Sequence, residues 1–347
     1  MQETEHLVHS KISLFFLFFF LLFSATDFAQ NYPDETIHNL LKNGIEKIVD
    51  QEYDDALTVF TKLNNDYPEI PLGKIYIAGV KIARSFDYGI PFDAANIESL
   101  LDDSYLQAKA LLDKDSKNIW YNYFVALAEG YTAYFQAIQE NYFSAMSSGL
   151  SSVDYFENCV ELNPKFYEAY IAIGTYRYWK SRKTEFLHWL PFVSDDREEG
   201  VALLESTLNK NTYNSHLAVN SLIWIYIDQK NSEKAIRLAE STIKLNPEFR
   251  IFKWGLARAY EDVDKRKSIS VYNNILQSYP KEGLANHFNE IVLKHKIAQQ
   301  YYKLGERQKA LSLCNEILSI KNLSDFVKDQ LDDRLNRVEE LKQELTK

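Results

Sequence analysis

The sequence predicts an all-α protein, a superhelical solenoid of about seven helical hairpins closed by a C-terminal capping helix. Three observations lead there. Hydrophobic residues make up 46% of 347, ample for a continuous core, while only 8 Pro and 11 Gly punctuate the chain. Alternating β-branched runs are scarce, which leaves long helices joined by short turns. Small, aromatic and proline residues recur at a fixed spacing, with Pro247 and Pro280 lying 33 residues apart. In such an array each unit buries its apolar face on its neighbours, so the length does not imply several globular domains.

The period is clearest in the C-terminal half. Ala298, Tyr301 and Ala310 frame the run Tyr301-Tyr302-Lys303-Leu304-Gly305-Glu306. One unit earlier come Leu256, Ala257, Tyr260, Tyr272 and Pro280, and before those Leu222, Tyr226, Ala235, Ala239 and Pro247. Near the start, Gly44, Ala56, Phe60 and Pro68 repeat the order. These residues resemble the tetratricopeptide repeat, a helical hairpin of about 34 residues with small residues at positions 8 and 20 and Pro at 32. Small residues let the two helices of a hairpin approach closely, large ones fill the space between hairpins, and Pro stops the second helix. The resemblance covers roughly residues 37–320. It implies a right-handed solenoid whose first helices line a concave groove.

The middle departs from the period. From Tyr131 to Ser152, about twelve residues exceed what the repeat allows between its two helices. In the next unit the partner of Gly174 is expected at Gly200, across an insertion that includes Tyr178-Trp179-Lys180-Ser181-Arg182-Lys183, Leu190-Pro191-Phe192 and Asp196-Arg197-Glu198-Glu199-Gly200. This stretch resembles a divergent branch of these repeat proteins, similar to the inclusion-body-clearance proteins of eukaryotes. That likeness implies an interaction role and no catalytic residues.

The two ends carry their own messages. Ile12 to Phe23 is an apolar run of twelve residues, shorter than the roughly 20 a membrane-spanning helix needs. It fits the core of a secretory signal, so residues 1–29 are expected to be removed after Ala29, and residues 30–36 to form a linker. Asp27 and the few positive charges ahead of the run leave an uncleaved anchor as the alternative. The mature protein is then expected in the periplasm or cell envelope. Residues 321–347 are read as the cap, with Phe326, Leu331, Leu335, Val338, Leu341 and Leu345 along one helix face.

Composition excludes several functions. The formal charge is −10; residues 1–29 hold one basic and three acidic groups, so the remainder keeps −8. A nucleic-acid binder needs a basic face, and only the Lys180–Lys183 patch offers one, so nucleic acid is excluded as a partner. Cys159 and Cys314 stand at apolar positions and read as small buried hydrophobes. There is no glycine-rich phosphate loop, and the His residues lack metal-ligand spacing. They read as helix-surface or turn imidazoles. Asp102-Asp103, Asp195-Asp196 and Asp332-Asp333 fit helix capping and dipole roles. No catalytic residue, metal or cofactor is expected, and the protein is not read as an enzyme.

The groove is the remaining source of function. In the tetratricopeptide superfamily it is lined chiefly by positions 2, 5, 9, 12 and 13 of each first helix. Projecting the frames puts Tyr178 and Trp179 at 12 and 13, Trp224 at 9, and Trp254 and Arg258 at 5 and 9. His295, Gln299 and Tyr302 follow at 5, 9 and 12. Exposed aromatics beside Arg are what binding hot spots use, whereas the same Trp residues between adjacent helices would be core. Members of the superfamily that clamp a peptide carboxylate use Lys at 5 and Asn at 9. Here those positions hold Asn220/Trp224, Trp254/Arg258 and His295/Gln299, so that clamp is not expected. The expected function is a scaffold that binds a protein or peptide partner. A glycan- or small-molecule-binding solenoid is the alternative, and a membrane contact follows only if the signal stays uncleaved.

Overall fold

The computed structural model describes residues 30–187 and 194–347, and the regular elements among them are all helical. Seven hairpins follow one another. They are α1 (Glu35–Val49) with α2 (Tyr53–Asp66), α3 (Leu72–Tyr88) with α4 (Ala94–Leu112), and α5 (Ile119–Ile138) with α6 (Tyr142–Leu162). Next come α7 (Tyr167–Lys183) with α8 (Arg197–Thr207), and α9 (Ser215–Asp228) with α10 (Ser232–Leu245). α11 (Arg250–Val263) then pairs with α12 (Lys265–Ser278). A short α13 (Lys281–Leu284) leads to α14 (Phe288–Lys303) with α15 (Arg307–Ser319), and α16 (Asp325–Thr346) packs on that last pair. The all-α solenoid of about seven hairpins and a capping helix is therefore what the chain forms. The apolar run Ile12–Phe23 and Leu190-Pro191-Phe192 lie outside the described residues. Among those described, no helix is long and apolar enough to cross a membrane.

Local sequence sets the helix ends. Asp34, Asn118, Asp264 and Ser324 each accept a hydrogen bond from the first-turn amides of the helix they precede, using donors that the helix itself leaves unpaired. Between helices, the small residues lie where the repeat demands them. Ala56, Ala235, Ala257, Ala298 and Ala310 are all fully buried. Gly174 and Gly200 face each other across α7 and α8, each so placed that an added Cβ would lie 2.7 Å from the other's carbonyl oxygen. The pairing expected across the insertion is thus formed. The extra residues of the third hairpin lengthen both of its helices, to 20 and 21 residues against the 14 of α9 and α10. Cys159 and Cys314 are buried free thiols.

The array curls until its start meets its second half. Tyr32 packs edge-on against Trp120 at 5.0 Å, and its amide donates to the Tyr213 hydroxyl at 2.9 Å. His38 on α1 bonds the same hydroxyl at 2.6 Å. At the far end of the second hairpin, the Asp87 carboxylate receives Arg250 at 2.7 Å and the Tyr53 and Tyr279 hydroxyls at 3.0 Å each. Asn289 donates to the Asp87 carbonyl and Asn286 to the Gly89 carbonyl, both at 2.7 Å. Gly89 has φ +60°, and a Cβ there would overlap the Phe288 ring. Only glycine meets both constraints.

Candidate functional site

The closure lies at one end of the first helices. It engages the beginnings of α9, α11 and α14, through Tyr213, Arg250 and Asn289. Just behind it lies a buried polar hub. Glu168 in the first turn of α7 accepts from the Tyr123 hydroxyl at 3.2 Å, from the Tyr213 amide at 2.9 Å and from the Asn214 side chain. Burial pushes its carboxyl above the usual range, and the three donors pull the other way. The hub joins α5, α7 and the start of α9, and its bonds are all internal.

Beyond the hub, the later turns of the first helices carry the candidate residues. Trp224 on α9 is 36% exposed, unusual for a large apolar ring in the middle of a packed helix. One turn before it, the buried Asn220 Oδ1 has no hydrogen-bond partner. α11 packs directly on α9. It contributes Trp254, half-buried with its ring edge-on to Tyr272 at 6.0 Å, and Arg258, which pairs with Asp262 at 3.1 Å and Glu261 at 3.6 Å. Trp224, Trp254 and Arg258 therefore lie on neighbouring helices as the frame expects. Asn220 stands at position 5 of the same frame, beside Trp224 at position 9.

The other projected residues are placed differently. Tyr178 is 1% exposed, its hydroxyl bonded to Asp228 at 2.7 Å, so it belongs to the core and presents no surface. Trp179 is half-buried against it, with ring centroids 5.2 Å apart. His295 is also 1% exposed, covered by α16, whose Arg334 comes within 3.4 Å of its Nδ1. The helix-surface reading of this imidazole is corrected accordingly. Burial first, and then Arg334, Arg337 and Lys296, push its pKa down to about 4. Gln299 is partly exposed, while Tyr302 bonds Glu344 near the end of α16. The frame treated the last first helix as open, whereas α16 lies against it.

Two of the three basic side chains of the Lys180–Lys183 patch are paired with acids. Arg182 pairs with Asp228 at 2.9 Å and Glu185 at 2.5 Å, and Lys180 lies 3.8 Å from Asp196. The recess of about 670 Å³ beside it is lined by Arg182 and Arg197 against Glu185, Asp195, Glu198 and Asp228, so it is acidic on balance. Among the described residues, no group of three or more His, Cys, Asp or Glu is arranged to hold a metal ion.

Hairpins packed in sequence, with small residues at their crossings, define an all-α helical-repeat solenoid. No protein-family model matches the sequence, and no curated protein matches it. Among solved structures, the chain is similar to YrrB, described as a tetratricopeptide-repeat protein with an unusual peptide-binding site. That likeness has 12% identity, 65% of this chain and 97% of that one covered, and a TM-score of 0.42. A tetratricopeptide-repeat protein from Parabacteroides merdae shares 12% identity over 90% of this chain and all of its own, with a TM-score of 0.37. Yeast Tom70 shares 14% identity over 91% of this chain and 66% of its own, with a TM-score of 0.44.

Proposed function

We propose that this chain is an exported scaffold that holds a segment of a protein partner against the later turns of α9 and α11. The supporting observation is Trp224, a ring left 36% exposed beside the unpartnered carbonyl of Asn220. A partner's apolar side chain would cover the ring. Arg258, already paired with Asp262, supplies polar contacts at the rim. Residues 1–29 act in this reading as a cleaved export signal, which places the scaffold in the periplasm or cell envelope. The likeness of the Tyr178–Gly200 stretch to the inclusion-body-clearance branch accords with an interaction role.

The test is affinity capture from the native envelope with the full chain and with Trp224→Ala. A partner retained by the first and lost by the second supports the reading. Equal recovery by both would remove Trp224 from the interface. Saturable quenching of tryptophan fluorescence by oligosaccharides, abolished by the same substitution, would instead favour a glycan.

A further inference from the structure

A second site lies where the capping helix meets α14. Arg334 on α16 is half-buried, yet among the described residues neither it nor Arg337, one turn on, forms an ion pair. Other partly buried guanidinium groups in the chain all have carboxylates. Arg250 has Asp87, Arg177 has Glu157 and Glu199, and Arg258 has Glu261 and Asp262. Glu261, the buried acid of α11, is engaged by Tyr272 at 2.6 Å, Lys296 at 3.1 Å and Arg258 at 3.6 Å, and no ion pair joins it to Arg334. Lys253 also lacks an ion pair, but Glu248 lies within its electrostatic reach, whereas the charged neighbour felt by Arg334 is Arg337. Partial burial of a guanidinium beside a second one, with no anion, is unfavourable unless something else supplies the charge.

The local geometry is suited to receiving that anion. Nη1 of Arg334 is held 3.4 Å from Nδ1 of the buried His295. A guanidinium can only donate, so this contact is an N–H donated to Nδ1 of the imidazole tautomer that carries its proton on Nε2. One side of the guanidinium is thereby anchored, and its remaining N–H groups stay free for a two-point bond. Arg337 is exposed at the rim and adds a second charge. We propose that Arg334 and Arg337, with His295 positioning the former, form a binding site for an oxyanion, either a carboxylate or a phosphate group. Paired N–H donors fit both, and charge-assisted bonds of this kind are about twice as strong as neutral ones. The argument for this site uses neither Trp224 nor Asn220, so it does not depend on the groove reading.

The test uses the full chain and two probes, sodium acetate and sodium phosphate, titrated separately against sodium chloride at constant ionic strength. Calorimetry and thermal melting are both read. At least one probe should bind saturably and raise the melting temperature above the chloride control; which one does so identifies the group as carboxylate or phosphate. Arg334→Met should weaken that binding at least about tenfold while leaving the ion-free protein no less stable, because it removes an uncompensated charge. Arg337→Ala, further out, should weaken it less. Failure of both probes to exceed chloride, or unchanged binding in Arg334→Met, would overturn the site. Loss of the captured partner by Trp224→Ala would be unaffected by either result, so the two readings fail separately.

Discussion

The carboxylate of Asp87 and the guanidinium of Arg250, 163 residues apart in the chain, meet at 2.7 Å with their side chains only 15% and 5% exposed. Arg250 also donates to the Ser278 carbonyl at 2.9 Å and lies over the Tyr279 ring at 4.2 Å. The pair ties the C-terminus of α3 to the start of α11 and the end of α12. Its value lies in what breaking it would leave behind, a buried charge without a partner.

Asp87→Ala is accordingly expected to cost about 3–5 kcal/mol in urea unfolding. The double change Asp87→Ala with Arg250→Met should recover a large part of that, because the stranded cation is gone. Equal destabilisation in both variants would show that the loss does not come from a stranded cation.

Gly174→Ala tests the crossing of α7 and α8. The new methyl would press on the Gly200 carbonyl, and forcing the helices apart should cost about 1–3 kcal/mol. Gly305 gives the control. Its φ is +77° and nothing lies within 4 Å of its Cβ position, so Gly305→Ala should cost only the left-handed backbone strain, about 1–2 kcal/mol. Thermal melting of the two variants side by side separates crowding from backbone strain.

The two candidate tryptophans should part company. Trp224→Ala is expected to leave the melting temperature nearly unchanged and to weaken partner binding by about 2 kcal/mol or more, the hot-spot threshold. Trp254, half-buried against Tyr272, should lose stability as well, toward the lower end of the about 3–5 kcal/mol seen for fully buried rings. A large stability loss for Trp224→Ala would make that ring part of the core and remove the basis of the groove reading.

His295 should leave a mark on acid stability. Its pKa lies near 4 in the folded chain against 6.5 when free, held down by burial and by Arg334, Arg337 and Lys296. Between those values the unfolded chain binds more protons, so stability rises with pH. This contribution is complete above pH 6.5 and is lost as pH falls toward 4, amounting to at most about 3 kcal/mol. His216, pushed down to about 4 by burial, acts in the same window. His295→Gln keeps an acceptor for Arg334 and should flatten, without abolishing, the slope of urea midpoints between pH 6.5 and 4. An unchanged slope would mean that His295 titrates normally in the folded protein.

Much of the hairpin architecture was legible in the residues themselves. Gly174 and Gly200 were paired across an irregular insertion because two helices can cross closely only where both lack side chains, and they meet there. Trp224, which the frame puts at position 9, is 36% exposed. Tyr178 and His295 did not follow it, since the frame describes each first helix against a groove and is blind to what else covers that helix. Asp228 and its neighbours enclose Tyr178, and α16 encloses His295.

By itself, then, the sequence determined the repeating unit. Periodicity records which residues must be small, large or helix-stopping for each hairpin to pack on the next, and that requirement acts within about 34 residues. Only the tertiary structure decided how far the array curls, that Asp87 reaches Arg250, and that Arg334 lies beside His295 without an acid. Curvature is the sum of small rotations between successive units. Contacts made after 163 residues depend on that sum, and no local pattern in the chain records it.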